Sequence, residues 1–81
     1  MPDGARAGWA EVCAAVFLAL QDGDAAVRRV IDPYGARNEA EFFAVATESF
    51  FERPRALRRA LPALYALLAD FYRQDPAARG A

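Results

Sequence analysis

Apolar residues recur at helical spacing in three stretches of the chain, and each stretch ends at a turn signal. Trp9, Val12, Cys13, Val16, Phe17 and Leu20 stand three or four residues apart or adjacent to such a partner, which is the repeat of a helix with one buried face. The spacing predicts a first helix from Arg6 to Gln21, stopped by Gln21-Asp22-Gly23-Asp24. Asp24 is placed to cap a short turn through Arg28 and Arg29. Val30-Ile31 then leads into Asp32-Pro33-Tyr34-Gly35, a turn with proline second and glycine fourth. A second helix is predicted from Asn38 to Glu52, because Asn38 suits an N-cap and Glu41 follows at the capping-box spacing. Pro54 ends it, and Pro54 to Ala60 reads as a short turn. Pro62 opens the last helix at a position proline favours. Leu61, Leu64, Tyr65, Leu68, Phe71 and Tyr72 form its apolar stripe, and Asp75-Pro76 ends it. Residues 77–81 read as a frayed, disordered tail. No stretch reads as a strand, so the fold class is mainly α, with three to four helices in one small unit.

The second predicted helix separates its residue types by face. With Phe42 at zero and about 100° per residue, Ala46, Phe50 and Phe43 fall within about 100° of it. That arc is the face to be buried. Glu41, Glu48 and Glu52 cluster on another side, Glu41 and Glu48 about 20° apart in rotation and roughly 10.5 Å apart in rise. Taken alone, three glutamates opposite a phenylalanine face describe a solvated helix surface, and a capping box is reason enough for Glu41.

Composition sharpens this only in part. Eighty-one residues make at most one small domain. The apolar share of 56% exceeds the globular average of roughly 45–50%, which argues against disorder and suggests that something else packs on the chain. Net charge is −1, without the basic excess of a nucleic-acid binder. Arg53, Arg55, Arg58 and Arg59 nevertheless make a local basic patch, read as a solvated face beside Glu52 or as part of a protein-binding surface. Cys13 is the only cysteine, as suits a reducing compartment, and its place on an apolar face marks it as core. Met1-Pro2-Asp3-Gly4 does not open a signal peptide. The apolar run from Val12 to Leu20 is about half the length of a membrane span. A cytoplasmic protein that binds neither membrane nor nucleic acid is expected.

One stretch carries chemistry. Asp32-Pro33-Tyr34-Gly35, then Asn38-Glu39-Ala40-Glu41-Phe42-Phe43-Ala44-Val45, resembles the segment with the third zinc ligand in the Mlc titration factor A family of bacterial zinc metallopeptidases. The catalytic domain of anthrax lethal factor has a similar run. Phe50-Phe51-Glu52, Pro62, Leu64-Tyr65 and Phe71-Tyr72-Arg73-Gln74-Asp75-Pro76 extend the resemblance, which covers residues 9–76. It implies the C-terminal portion of a zincin-like domain. It also implies Glu41 as a zinc ligand, Tyr34 as the active-site tyrosine, a peptide substrate cleaved in aminopeptidase fashion, and an Mlc-like transcriptional repressor as partner. The residue types suit that chemistry. A peptidase zinc takes three protein ligands, commonly two histidines and a glutamate, and keeps one position open. A tyrosine hydroxyl can donate to the oxyanion formed at the scissile carbonyl. Glu48, on the Glu41 side two turns on, is a candidate to orient a histidine ligand, or is simply solvated.

The family's H-E-x-x-H helix, source of two ligands and the general base, has no counterpart, because the chain contains no histidine. The expectation is therefore a fragment: a truncated member, a misplaced gene start or a piece of a domain. Alone it should neither hold zinc nor hydrolyse peptides. Its Glu41 flank, with Ala44 and Val45, should then be an interface left open. The competing expectation is a non-catalytic helical module that binds a transcriptional regulator. A gene remnant without function is a third.

Overall fold

The computed structural model describes residues 3–78, with side chains from Gly8 onward. Among them are five α-helices and two 3₁₀ turns, and no strand. Helix α1 is Asp3–Gln21, α2 Ala25–Val30, α3 Glu39–Glu52, α4 Pro54–Ala60 and α5 Pro62–Tyr72. The 3₁₀ turns are Pro33–Ala36 and Pro76–Ala78.

Two segments expected as turns are helices. Over Ala25–Val30, Asp24 accepts a hydrogen bond from the Val27 N–H at 3.0 Å, and Val27 and Val30 are buried. Over Pro54–Ala60, proline occupies the first turn and Leu57 is buried completely. Helices this short are unstable alone, and tertiary burial of one face holds them. The periodicity of six or seven residues is too brief to announce them in the sequence.

The core is built where the long helices meet. Val16 and Leu20 of α1, Phe42, Ala46 and Phe50 of α3, Leu57 of α4, and Leu64, Tyr65 and Leu68 of α5 are all buried, with Val27, Val30 and Ile31 from the α2 region. Phe42, Ala46 and Phe50 of the arc that the wheel gives for α3 are buried, whereas Phe43, at the edge of that arc, is only half-buried. Ser49 shares the arc, at about −20° from Phe42, and its buried Oγ has no hydrogen-bond partner among the described residues.

Helix α5 departs from its predicted stripe at one position. Phe71 is 57% exposed. It belongs to an aromatic cluster with Trp9 and Phe43, its ring centroid 5.8 Å from the first and 5.9 Å from the second. The helix ends at Arg73, in the left-handed conformation (φ 54°), before Asp75-Pro76 is reached.

The tail expected from Ala77 is held at its start. Ala77 is buried, its N–H donates to the Tyr65 hydroxyl at 3.0 Å, and its carbonyl accepts from Arg55 Nε at 3.4 Å. The Tyr65 hydroxyl in turn donates to Asp75 Oδ1. A buried tyrosine hydroxyl needs partners, and the returning chain provides two. Residues 79–81 lie outside the described residues.

Candidate functional site

The Asp32-Pro33-Tyr34-Gly35 sequence folds as its residue types require. The Asp32 side chain accepts from the Tyr34 N–H at 2.9 Å, and its carbonyl accepts from the Gly35 N–H at 2.9 Å. This turn is pressed onto α3 through Gly35. A β-carbon there would stand 2.5 Å from Val45 Cγ2, 3.2 Å from Phe42 Cα and 3.4 Å from Leu20 Cδ2. Only glycine permits that approach. Gln21 Nε2 donates to the Ala36 carbonyl at 3.2 Å and ties the turn to α1 as well.

The approach decides which side of α3 the turn occupies. Val45 lies at about −60° from Phe42 and Glu41 at about −100°. The turn bearing Tyr34 therefore packs on the flank between the buried phenylalanine and the glutamate stripe. Val45 packs against Gly35 of this same chain and is half-buried. Ala44 is exposed.

Glu41 stands half-buried in the first turn of α3. Its N–H donates to Asn38 Oδ1 at 2.9 Å, so Asn38 caps the helix. The reciprocal half of a capping box is not made: among the described residues the Glu41 carboxylate has no hydrogen-bond or ion-pair partner. Capping thus accounts for Asn38 and leaves the Glu41 side chain without a structural task. Glu48 is exposed on the same side.

Tyr34 is 48% exposed. The Arg37 guanidinium lies over its ring, 4.8 Å from the centroid, a cation–π contact that limits where the ring can turn. Asn38 and the Asp32-Pro33-Tyr34-Gly35 turn were legible in the sequence. The Arg37 contact and the Gln21 tie were not, because neither follows from spacing along one element.

No group of three or more His, Cys, Asp or Glu side chains able to hold a metal occurs among the described residues. A single carboxylate does not fit a zinc ion, which needs about three protein ligands in a catalytic site. Cys13, whose thiol pKa burial raises above the ordinary value, belongs to no such group among the described residues.

An apolar hollow lies elsewhere. A groove of about 550 Å³ runs between α1 and α3, lined by Trp9, Cys13, Phe17, Leu18, Phe42 and Phe43, with Glu39 as its charged residue. Leu18 is 58% exposed. Cys13 is therefore half-buried at a groove and not sealed in the core. The other exposed large apolar residues, Tyr34, Phe51 and Phe71, lie outside the groove's lining. No helix among the described residues is long and apolar enough to cross a membrane.

Residues 1–73 match the family model described as glucose-regulated metallo-peptidase M90. A protein named Mlc titration factor A from Edwardsiella ictaluri is 40% identical over 76 residues, 90% of this chain and 29% of the relative. Proteins of the same name from Pectobacterium atrosepticum and Yersinia pestis are 49% and 51% identical over 49 residues, 60% of this chain and 18% of each relative. The chain thus spans less than a third of the curated relatives it matches. No solved structure matches it.

Proposed function

The chain belongs to the family of glucose-regulated M90 metallo-peptidases, and on that premise we propose that it is the segment supplying Glu41 and Tyr34 to a zinc-dependent peptidase site completed by other polypeptide. Glu41 offers one anionic oxygen ligand. Tyr34 donates its hydroxyl to the oxyanion of the scissile carbonyl, where such donors lower the barrier most. Zinc, when bound by the completed ligand set, would supply Lewis acidity and an activated water. Glu48 is a candidate to hold a histidine ligand in orientation. On its own the chain is inactive, for want of ligands and of a general base.

One observation supports this reading above the others: the contact of Gly35 with Phe42 and Val45. It fixes the Tyr34 turn beside the Glu41 stripe, while the Glu41 carboxylate remains free of capping duty. A chimera tests it. The 76-residue matched segment of the Edwardsiella ictaluri relative is replaced by this chain, and hydrolysis of aminopeptide substrates is assayed. Activity that falls about 100-fold in Tyr34→Phe, the scale for loss of one oxyanion donor, with zinc retained, is the expected result. Unchanged turnover in Tyr34→Phe would remove the tyrosine from the mechanism.

The relatives' name ties them to Mlc, and a regulator of that kind is the protein partner we propose for the intact protein. The exposed groove between α1 and α3 favours a second reading, in which the chain serves as a helical module that binds such a regulator without catalysis.

A further inference from the structure

Ten basic residues are spread over this chain, all arginine, yet six of them fall in two short segments: Arg28 and Arg29, then Arg53, Arg55, Arg58 and Arg59. The fold brings the two segments together. Helix α2 packs on α4, and Arg53 Nη1 donates to the Arg29 carbonyl at 3.4 Å. All six side chains are exposed. With Leu57 pointing inward, about 100° per residue sets Arg59 at about 200°, straight away from the core, while Arg55, four residues before it, reaches back to the Ala77 carbonyl. Like charges at this i, i+4 spacing repel, so the arrangement does not stabilise the helix by itself.

Part of the cluster has a local explanation. Arg28 and Arg29 stand in the last turn of α2, and Arg58 and Arg59 in the last turn of α4, where cations complement the helix dipole. That explanation does not reach Arg53, which precedes α4. Nor does it supply counter-charges. Among the described residues, no carboxylate forms an ion pair with Arg28, Arg29, Arg53, Arg58 or Arg59. The nearby Asp24 is engaged in capping the Val27 N–H.

We propose that this arginine face of α2 and α4 is a docking surface for a short acidic segment of a protein partner. The inference is independent of the zinc-site reading. Guanidinium groups bind carboxylates through paired N–H donors, which is why arginine suits such surfaces better than lysine. The dimensions fit as well. Helices of six and seven residues are about 9 and 10.5 Å long at about 1.5 Å per residue. In an extended peptide, side chains on one face repeat every ~6.6 Å, so two or three carboxylates match the face. A nucleic acid fits less well. The chain carries eleven acidic residues against ten basic, without the basic excess of a nucleic-acid binder.

The probe is a fluorescein-labelled oligoglutamate peptide, titrated against the full chain by anisotropy. A thymidine oligonucleotide with the same number of charges runs in parallel. Saturable peptide binding is expected. It should weaken at least about fivefold as ionic strength rises from about 0.01 M to about 0.15 M, where the screening length falls from about 30 to about 8 Å. Arg29→Glu and Arg59→Glu should each weaken it about fivefold, and Arg37→Glu, with the same change in net charge, less than about twofold. Circular dichroism confirms folding, and Arg29→Gln and Arg59→Gln replace the reversals if these melt early. Tighter binding of the oligonucleotide than of the peptide would overturn the proposal in favour of nucleic acid. Equal weakening by Arg37→Glu would reduce the effect to net charge and overturn it as well.

Discussion

Gly35 and Val45 are packed so closely that a single added methyl on the first would stand 2.5 Å from Cγ2 of the second. This contact connects sequence, fold and candidate chemistry. It fixes the turn carrying Tyr34 to the helix carrying Glu41.

Gly35→Ala is therefore expected to destabilise the chain by about 1–3 kcal/mol, the usual scale of overpacking. Trimming the neighbour in a Gly35→Ala/Val45→Ala double variant should recover part of the loss. It should not recover all, because Phe42 Cα at 3.2 Å is backbone and cannot be trimmed. Thermal melts of the four members of this cycle provide the check. Additive losses would mean that the two residues do not meet as described.

Phe50 is fully buried on α3 and Glu48, two residues before it, is exposed. Phe50→Ala should cost about 3–5 kcal/mol and leave little folded chain, since a core of this size supplies only about 3–5 kcal/mol in all. Glu48→Ala should stay within about 0.5 kcal/mol. Urea titration separates the two, and a reversed order would turn the helix inside out.

That face was legible because α3 is long enough for its period to be read, and both its cap and its stop are in the sequence. The α1 and α5 stripes were legible for the same reason, except at Phe71, whose partners Trp9 and Phe43 come from other helices. Helices α2 and α4 were hidden by their length, as were the folding of Pro76–Ala78 onto Tyr65 and the closure of Gly35 on Val45. These are tertiary events, and a single element carries no trace of them. Tyr34 and Glu41 stand out only by family resemblance, and local spacing alone leaves Glu41 as a capping residue.

The Tyr65 hydroxyl titrates above its ordinary pKa of 10.0, chiefly because burial disfavours the phenolate and then because it donates to Asp75. A raised pKa in the folded state means that the unfolded chain loses this proton first as pH rises. The stability it contributes is whole below pH 10.0 and declines above it, toward the raised folded value. Denaturation followed from neutral pH upward should show a steeper alkaline loss for the wild-type chain than for Tyr65→Phe. Parallel profiles would mean that Tyr65 is not the buried titrating group.

Ligand count makes a further prediction. The chain alone should leave zinc in solution in equilibrium dialysis, because Glu41 is one carboxylate where about three ligands are needed. Stoichiometric binding lost in Glu41→Ala would reveal further metal ligands within the chain.

The central claim is that Glu41 is a metal ligand in a site completed by other polypeptide. Zinc stoichiometry of the chimera built on the Edwardsiella ictaluri relative tests it most directly. One zinc per chimera is expected, with loss of that zinc in Glu41→Ala and retention in Glu48→Ala after dialysis against buffer free of metal. A Glu41→Ala chimera that kept its zinc as firmly as the parent would contradict it.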